Sequence, residues 1–135
     1  MNDEKELLNN SSSRAILNFG HTFGHALESM NNYKSNLNHG EAISIGMILA
    51  AKISKKIGNI SKYQLDDIIC HFKNFGLPTK SNLIKKDKFY KLLTSDKKNQ
   101  GEKINIILLN EIGKAYFARN FQIKEIKNLI LKQIQ

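Results

Sequence analysis

The sequence predicts a mostly α-helical domain carrying one small β-hairpin. Two observations predict it. Apolar residues recur every three or four positions through most of the chain, which is the period of an amphipathic helix. Near residue 103 the period shortens, and Ile, Leu, Tyr and Phe gather on both sides of Gly113, which is the pattern of a hairpin. The chain has 135 residues, one domain's worth, and its 41% of hydrophobic residues supply an ordinary core and argue against disorder.

Taken in order, residues 1 to 10 are polar and Ser11 to Ser13 are natural helix N-caps. A first helix is expected from Arg14 to about Met30, with Ile16, Leu17, Phe23 and Leu27 at helical spacing. A polar loop, Asn31 to Asn38, follows. The second helix is expected from about His39 to Ile57, stopped by Gly58. Its middle, AISIGMILAA, is apolar nearly all round and predicts the buried helix of the domain. Ser61 caps a third helix, Lys62 to Asn74, with Leu65, Ile68, Ile69 and Phe72 on one face and Gly76 and Pro78 beyond its end. A short fourth helix is expected from about Asp87 to Thr94. The hairpin pairs Lys103 to Leu109 with Lys114 to Ala118, and a last helix runs from about Gln122 to Ile134.

No apolar run reaches the ~18 residues of a membrane span, and the acidic start MNDEKELLNN is unlike a signal peptide. One cysteine, Cys70, forms no internal disulfide, which fits a reducing, cytoplasmic setting. The formal net charge is +9, nearly all of it lysine spread along the chain. That distribution reads as solvated faces or an anionic ligand. Nucleic acid is not expected, because the aromatics are not interleaved with a lysine stripe.

Three of the four histidines fall between residues 21 and 39. On a continuous helix Arg14, Asn18, His21 and His25 share one face, since they are three or four residues apart. A cation, an amide and two imidazoles suit an anionic ligand or a metal. His39 opens the second helix, in HGE, and comes close if the two helices form an antiparallel hairpin. Gly20, Gly24, Gly40 and Gly46 would keep the backbones lean at that crossing, each at roughly 1 kcal/mol of helix propensity against alanine. The blander reading is that a lone i, i+4 histidine pair is more often a surface or satisfied core pair. His71 reads as structural.

The strings RAILNFGHTFGHALE (Arg14 to Glu28) and HGEAISIGM (His39 to Met47) closely resemble the signature of 3-dehydroquinate synthase. DEKE (Asp3 to Glu6) resembles the acidic motif upstream of it, and DKKNQG (Asp96 to Gly101) the lysine motif near the family's C-terminus. The resemblance implies a multi-helical C-terminal domain of the dehydroquinate synthase-like fold, residues 1 to 135, working against an NAD-binding α/β domain. It implies the conversion of 3-deoxy-arabino-heptulosonate 7-phosphate to 3-dehydroquinate and phosphate, in the shikimate pathway that leads to chorismate and the aromatic amino acids. NAD oxidises a ring hydroxyl transiently, phosphate leaves by elimination, the carbonyl is reduced, the ring opens, and an aldol closure makes the carbocycle. The implied cofactors are NAD and a divalent metal, zinc or cobalt, and family members form homodimers.

Residue by residue, the resemblance implies that His21 and His39 are metal ligands and that Arg14 pairs with the substrate carboxylate. It implies that Asn18, His25 and Lys97 bind substrate, with Lys98 one residue from the last. It implies that His25 and Glu6 serve in proton transfer. Two departures stand out. The segment from Asp3 to Arg14 is about four residues longer than the family's spacing, which bears on Glu6. No glycine-rich strand–turn–helix for NAD occurs, so the expectation is a fragment or half enzyme that needs an NAD-binding partner. The competing expectations are another sugar phosphate cyclase of the superfamily and an inactive relic that serves only as a binding module.

Overall fold

A computed structural model describes residues 18–30, 37–93 and 103–132. Among them are helices α1 (His21–Ser29), α2 (His39–Lys56), α3 (Lys62–Asn74), α4 (Asp87–Leu93) and α5 (Ile123–Leu131). A 3₁₀ turn, Asn82–Lys85, leads into α4, and strands β1 (Lys103–Glu111) and β2 (Lys114–Gln122) precede α5. The class is the expected one, mostly α with one small hairpin. None of these helices is long and apolar enough to cross a membrane.

Helix α2 is the axis of the domain. Most of its residues are buried, from Ala42 through Ile53 and Ser54, as an all-round apolar helix must be. Its N-terminus is closed by a capping box: the Asn38 side chain accepts the Glu41 N–H at 2.8 Å, and the Glu41 carboxylate accepts the Asn38 N–H at 3.0 Å. Its C-terminus ends at Gly58, whose φ of 94° is the left-handed conformation that glycine adopts without strain. Helix α1 packs on one side of α2. Phe23, Leu27 and Met30 enter a core shared with Ile45, Leu49 and Ile53 of α2, Phe89 of α4, Ile106 and Leu108 of β1, and Ile126 and Ile130 of α5. Phe23 and Phe89 stack with ring centres 6.3 Å apart.

Helix α3 packs on another side of α2 and has its own capping box from Ser61 and Gln64. It spans the predicted residues because both ends carry local stop signals, the second being Gly76 at φ 75°. Leu65 is buried, and Ile68, Ile69 and Phe72 are half-buried on the expected face. The hairpin is antiparallel, with Ile107 opposite Phe117 and Leu109 opposite Ala115, and it turns at Ile112–Gly113. It runs further than predicted, to Glu111 on one side and Gln122 on the other, with one register shift beside Ile104–Ile106 that lets pairing continue past Ala118 and another between Leu109 and Glu111 near the turn. Ser54 fastens it to α2 by donating to the Ala50 carbonyl at 2.8 Å and accepting the Leu109 N–H at 2.9 Å.

The first helix differs most from expectation. Within the described residues it begins at His21, and residues 18–20 form a turn. Gly20 is its N-cap at φ 81°, outside helical space. The reason is tertiary. The Gly20 carbonyl lies against α2 where a Cβ on Gly46 would stand, and a Cβ on Gly20 would come within 2.6 Å of the Met47 backbone nitrogen. Close backbone contact selects a bend here that local spacing does not signal.

Candidate metal and substrate site

The crossing of α1 and α2 sets the site. A Cβ on Gly24 would approach the Ile43 Cα to 3.1 Å, and a Cβ on Gly46 would reach the Gly24 nitrogen at 2.8 Å. Gly20, Gly24 and Gly46 therefore let two backbones touch with no side chain between them. Gly40 was expected to share this role and does not: nothing closer than Asn38 Oδ1, at 3.6 Å, faces it. Gly20 faces Met47 and Gly24 faces Ile43, so the helices run antiparallel.

That crossing brings three of the predicted residues together. His21 and His39 have ring centres 6.3 Å apart, His21 and His25 5.4 Å, and His25 and His39 6.4 Å. His25 and His39 are exposed and His21 is half-buried. Asn18 stands in the turn before α1, where its carbonyl accepts the His21 N–H at 3.0 Å. It does not continue the helical face, which corrects the four-residue stripe drawn from spacing. Glu6, Arg14, Lys97 and Lys98 lie outside the described residues. His71 sits apart on α3, exposed, with Nδ1 2.9 Å from the Asp67 carbonyl.

The two candidate ligand rings are held alike. His21 Nδ1 lies 3.2 Å from the Phe19 carbonyl, and His39 Nδ1 lies 2.8 Å from Glu28 Oε1. Each acceptor calls for the proton on Nδ1, which leaves the Nε2 lone pair of each ring as the donor. Two neutral imidazoles suit zinc. One tetrahedral ion would hold two such rings with centres roughly 5 Å apart, about 1 Å closer than here, a change a side-chain rotation accomplishes. Among the described residues, no three His, Cys, Asp or Glu side chains are placed to hold an ion by themselves. The donor set fits part of a metal site.

His21 and His39 also line a cavity of about 350 Å³. Most of the rest of its lining is apolar: Ile43 and Met47 of α2, Phe72 of α3, and Leu77 beyond it. Ser44, also in the lining, donates to the Pro78 carbonyl at 2.7 Å. The arrangement offers two metal donors on the wall of a pocket large enough for a small molecule.

The family model described as 3-dehydroquinate synthase C-terminal matches residues 1–99. The chain belongs to that family. It is similar to the 3-dehydroquinate synthase of Halorhodospira halophila, 36% identical over 132 residues, which cover 98% of this chain and 36% of that protein. It is also similar to the 3-dehydroquinate synthase of Campylobacter fetus subsp. fetus, 45% identical over 118 residues, covering 87% of the chain and 32% of that protein. The chain thus spans about a third of the length of the curated relatives it matches. Among solved structures, a 2-deoxy-scyllo-inosose synthase complexed with carbaglucose-6-phosphate, NAD⁺ and Co²⁺ superposes with a TM-score of 0.67 at 27% identity, over 87% of this chain and 34% of that one. The 2-epi-5-epi-valiolone synthase of Streptomyces hygroscopicus, with NAD⁺ and Zn²⁺ bound, shares the fold with a TM-score of 0.72 at 24% identity, over 87% and 32% of the two chains.

Glu28 is the site residue that spacing missed. It carried a signal nonetheless. It stands in the last turn of α1, where a carboxylate meets the negative end of the helix dipole and no basic residue accompanies it. An acid in that unfavourable place calls for a partner.

Proposed function

We propose that this chain forms the metal- and substrate-binding wall of a 3-dehydroquinate synthase, which turns 3-deoxy-arabino-heptulosonate 7-phosphate into 3-dehydroquinate and phosphate. One observation supports this above the others. In a chain of this family, His21 and His39 come together from two helices on the lining of one cavity, each with Nδ1 engaged.

In this reading His21 and His39 hold a divalent ion, zinc or cobalt, through Nε2. The ion supplies a Lewis acid to the substrate hydroxyls and carbonyl, and NAD, bound by an NAD-binding half, supplies the hydride acceptor. The chain's own residues bind, orient and move protons. Ile43, Met47 and Phe72 keep water from the inner side of the pocket. His25, one turn from His21 and on the open side, exchanges a proton with bound substrate and contacts its phosphate. The Asn18 amide bonds a substrate hydroxyl from the turn. Arg14 forks onto the carboxylate, where a planar guanidinium matches two oxygens. Lys97 pairs with an anionic oxygen, and Glu6 serves as an acid–base group. The complete enzyme acts in the cytoplasm as a homodimer.

The solved neighbour complexed with carbaglucose-6-phosphate favours a second reading, a sugar phosphate cyclase with a substrate lacking the carboxylate. Arg14 and the greater identity to 3-dehydroquinate synthases weigh against it. Phosphate release by the chain joined to an NAD-binding half, with NAD and zinc, separates the two. Turnover of the heptulosonate phosphate is expected, falling about 100-fold or more in His21→Ala and His39→Ala. Turnover only of a carboxylate-free sugar phosphate would establish the second reading. Zinc bound at these histidines without turnover of either substrate would sink both.

A further inference from the structure

Glu28 belongs to no motif role assigned above, yet the crossing of α1 and α2 delivers it to one atom. Gly20 faces Met47 and Gly24 faces Ile43. One further turn along this antiparallel register puts residue 28 opposite residue 39. There Glu28 Oε1 lies 2.8 Å from His39 Nδ1. The Glu28 side chain is 31% exposed and that of His39 is 62% exposed, so the carboxylate is the more sheltered partner. The Asn38–Glu41 capping box fixes the backbone from which His39 projects. The histidine is thus held twice, at its backbone by the cap and at its ring by the carboxylate.

We propose that Glu28 is a positioning residue for the metal: by accepting the Nδ1 proton of His39 it selects the tautomer with a free Nε2 and aims that nitrogen toward His21. The inference rests on the reading of His21 and His39 as ligands. A carboxylate behind a ligating imidazole fixes its orientation and strengthens it as a donor, and loss of such a partner weakens metal binding about 10- to 100-fold. The proton's position distinguishes this role from a surface ion pair. A salt bridge needs a charged histidine, whereas this role needs a neutral ring with its proton on Nδ1, the nitrogen that faces Glu28 Oε1.

Two measurements on the 135-residue chain test the proposal. The first is zinc affinity, by calorimetry against a competing chelator, for wild type, Glu28→Gln, Glu28→Ala, His21→Ala and His39→Ala, with circular dichroism to show each is folded. Glu28→Ala is expected to weaken zinc about 10- to 100-fold, with Glu28→Gln, whose amide oxygen still accepts, losing less. The second needs no metal: ¹⁵N resonances of the His39 ring, recorded where it is neutral, report the tautomer. Wild type is expected to hold the proton on Nδ1 and Glu28→Ala to shift it toward Nε2. Unchanged zinc affinity in Glu28→Ala, beside loss in both histidine variants, would overturn the role of Glu28 alone. An unchanged tautomer would do the same. Zinc binding that survives His21→Ala and His39→Ala would instead overturn the metal site on which the inference rests.

Discussion

Helix α2 is gripped differently by two of its helical neighbours, α1 and α3. Toward α1 it presents Gly46, and the backbones touch over Gly20 and Gly24. Toward α3 it meets a helix that buries Leu65 fully and little else, while Tyr63 and Phe75 stand 81% and 80% exposed. The α1 contact has almost no freedom, because an added methyl group would have to move a backbone. The α3 contact is ordinary side-chain packing, which adjusts by rotamer changes. The candidate metal donors sit on the first contact, and the α3 side supplies only part of the apolar lining of the cavity, Phe72 and Leu77. Two imidazoles must be placed to within fractions of an ångström, so the rigid crossing suits them and the looser one suits an adaptable wall.

Gly46→Ala should break that comparison most severely. Its Cβ would run into the Gly20 carbonyl, and the nearest atoms are backbone. A loss at or above the ~1–3 kcal/mol typical of overpacking is expected in urea unfolding, together with loss of zinc binding. A variant that unfolds normally would show that the crossing is as adaptable as the α3 side. Leu65→Ala, the principal anchor of α3, should cost about 2–3 kcal/mol, at the low end for a buried leucine because so little of its helix is buried around it. Zinc binding should persist in that variant. If it vanishes, the two contacts are coupled rather than separate.

Ser61→Ala removes the capping box of α3 and should cost about 1 kcal/mol without touching the histidines. The same loss at the α2 cap, in Asn38→Ala, should also weaken zinc, because His39 is the first residue of that helix. Comparable zinc affinity in both variants would show that the α2 cap does not help to place the ligand.

The smallest effect is electrostatic and belongs to the α3 side. Lys52 is half-buried, and burial first, then the charges of Lys80 and Lys73, hold its pKa below the usual lysine value. Below the folded pKa the proton is bound in both folded and unfolded chains, so the full cost of that charge is present. Above the folded pKa and below the unfolded one, the unfolded chain binds more protons, and stability rises with pH. Lys52→Met should raise the midpoint of thermal unfolding at neutral pH and flatten its rise under alkaline conditions. An unchanged alkaline profile would show that Lys52 carries no such strain.

Much of this architecture was legible from residue order. Helix α3 matches its predicted span because Ser61 and Gly76 are local signals that act on the nearest turn. The apolar ring of AISIGMILAA identified α2 as the buried helix. The paired glycines around His21 pointed to a close crossing, and three of the four named glycines lie there. Legibility failed where a contact partner is remote in sequence. The hairpin ran past Ala118 because a register shift carried the pairing on to Phe121 and Gln122. Asn18 left the helical face because Gly20 bends the chain against α2.

The sequence alone determined which helices form, which of them is buried, and which histidines bear the family's motif, since caps, period and motif are carried by residues within a turn or two of each other. The tertiary structure decided where α1 begins and what stands behind His39. Both follow from the antiparallel register of α1 on α2, and that register is set by backbone contact among Gly20, Gly24 and Gly46. Contacts between the two helices leave no periodic trace along the chain, so Glu28 reaches His39 only once the helices have closed.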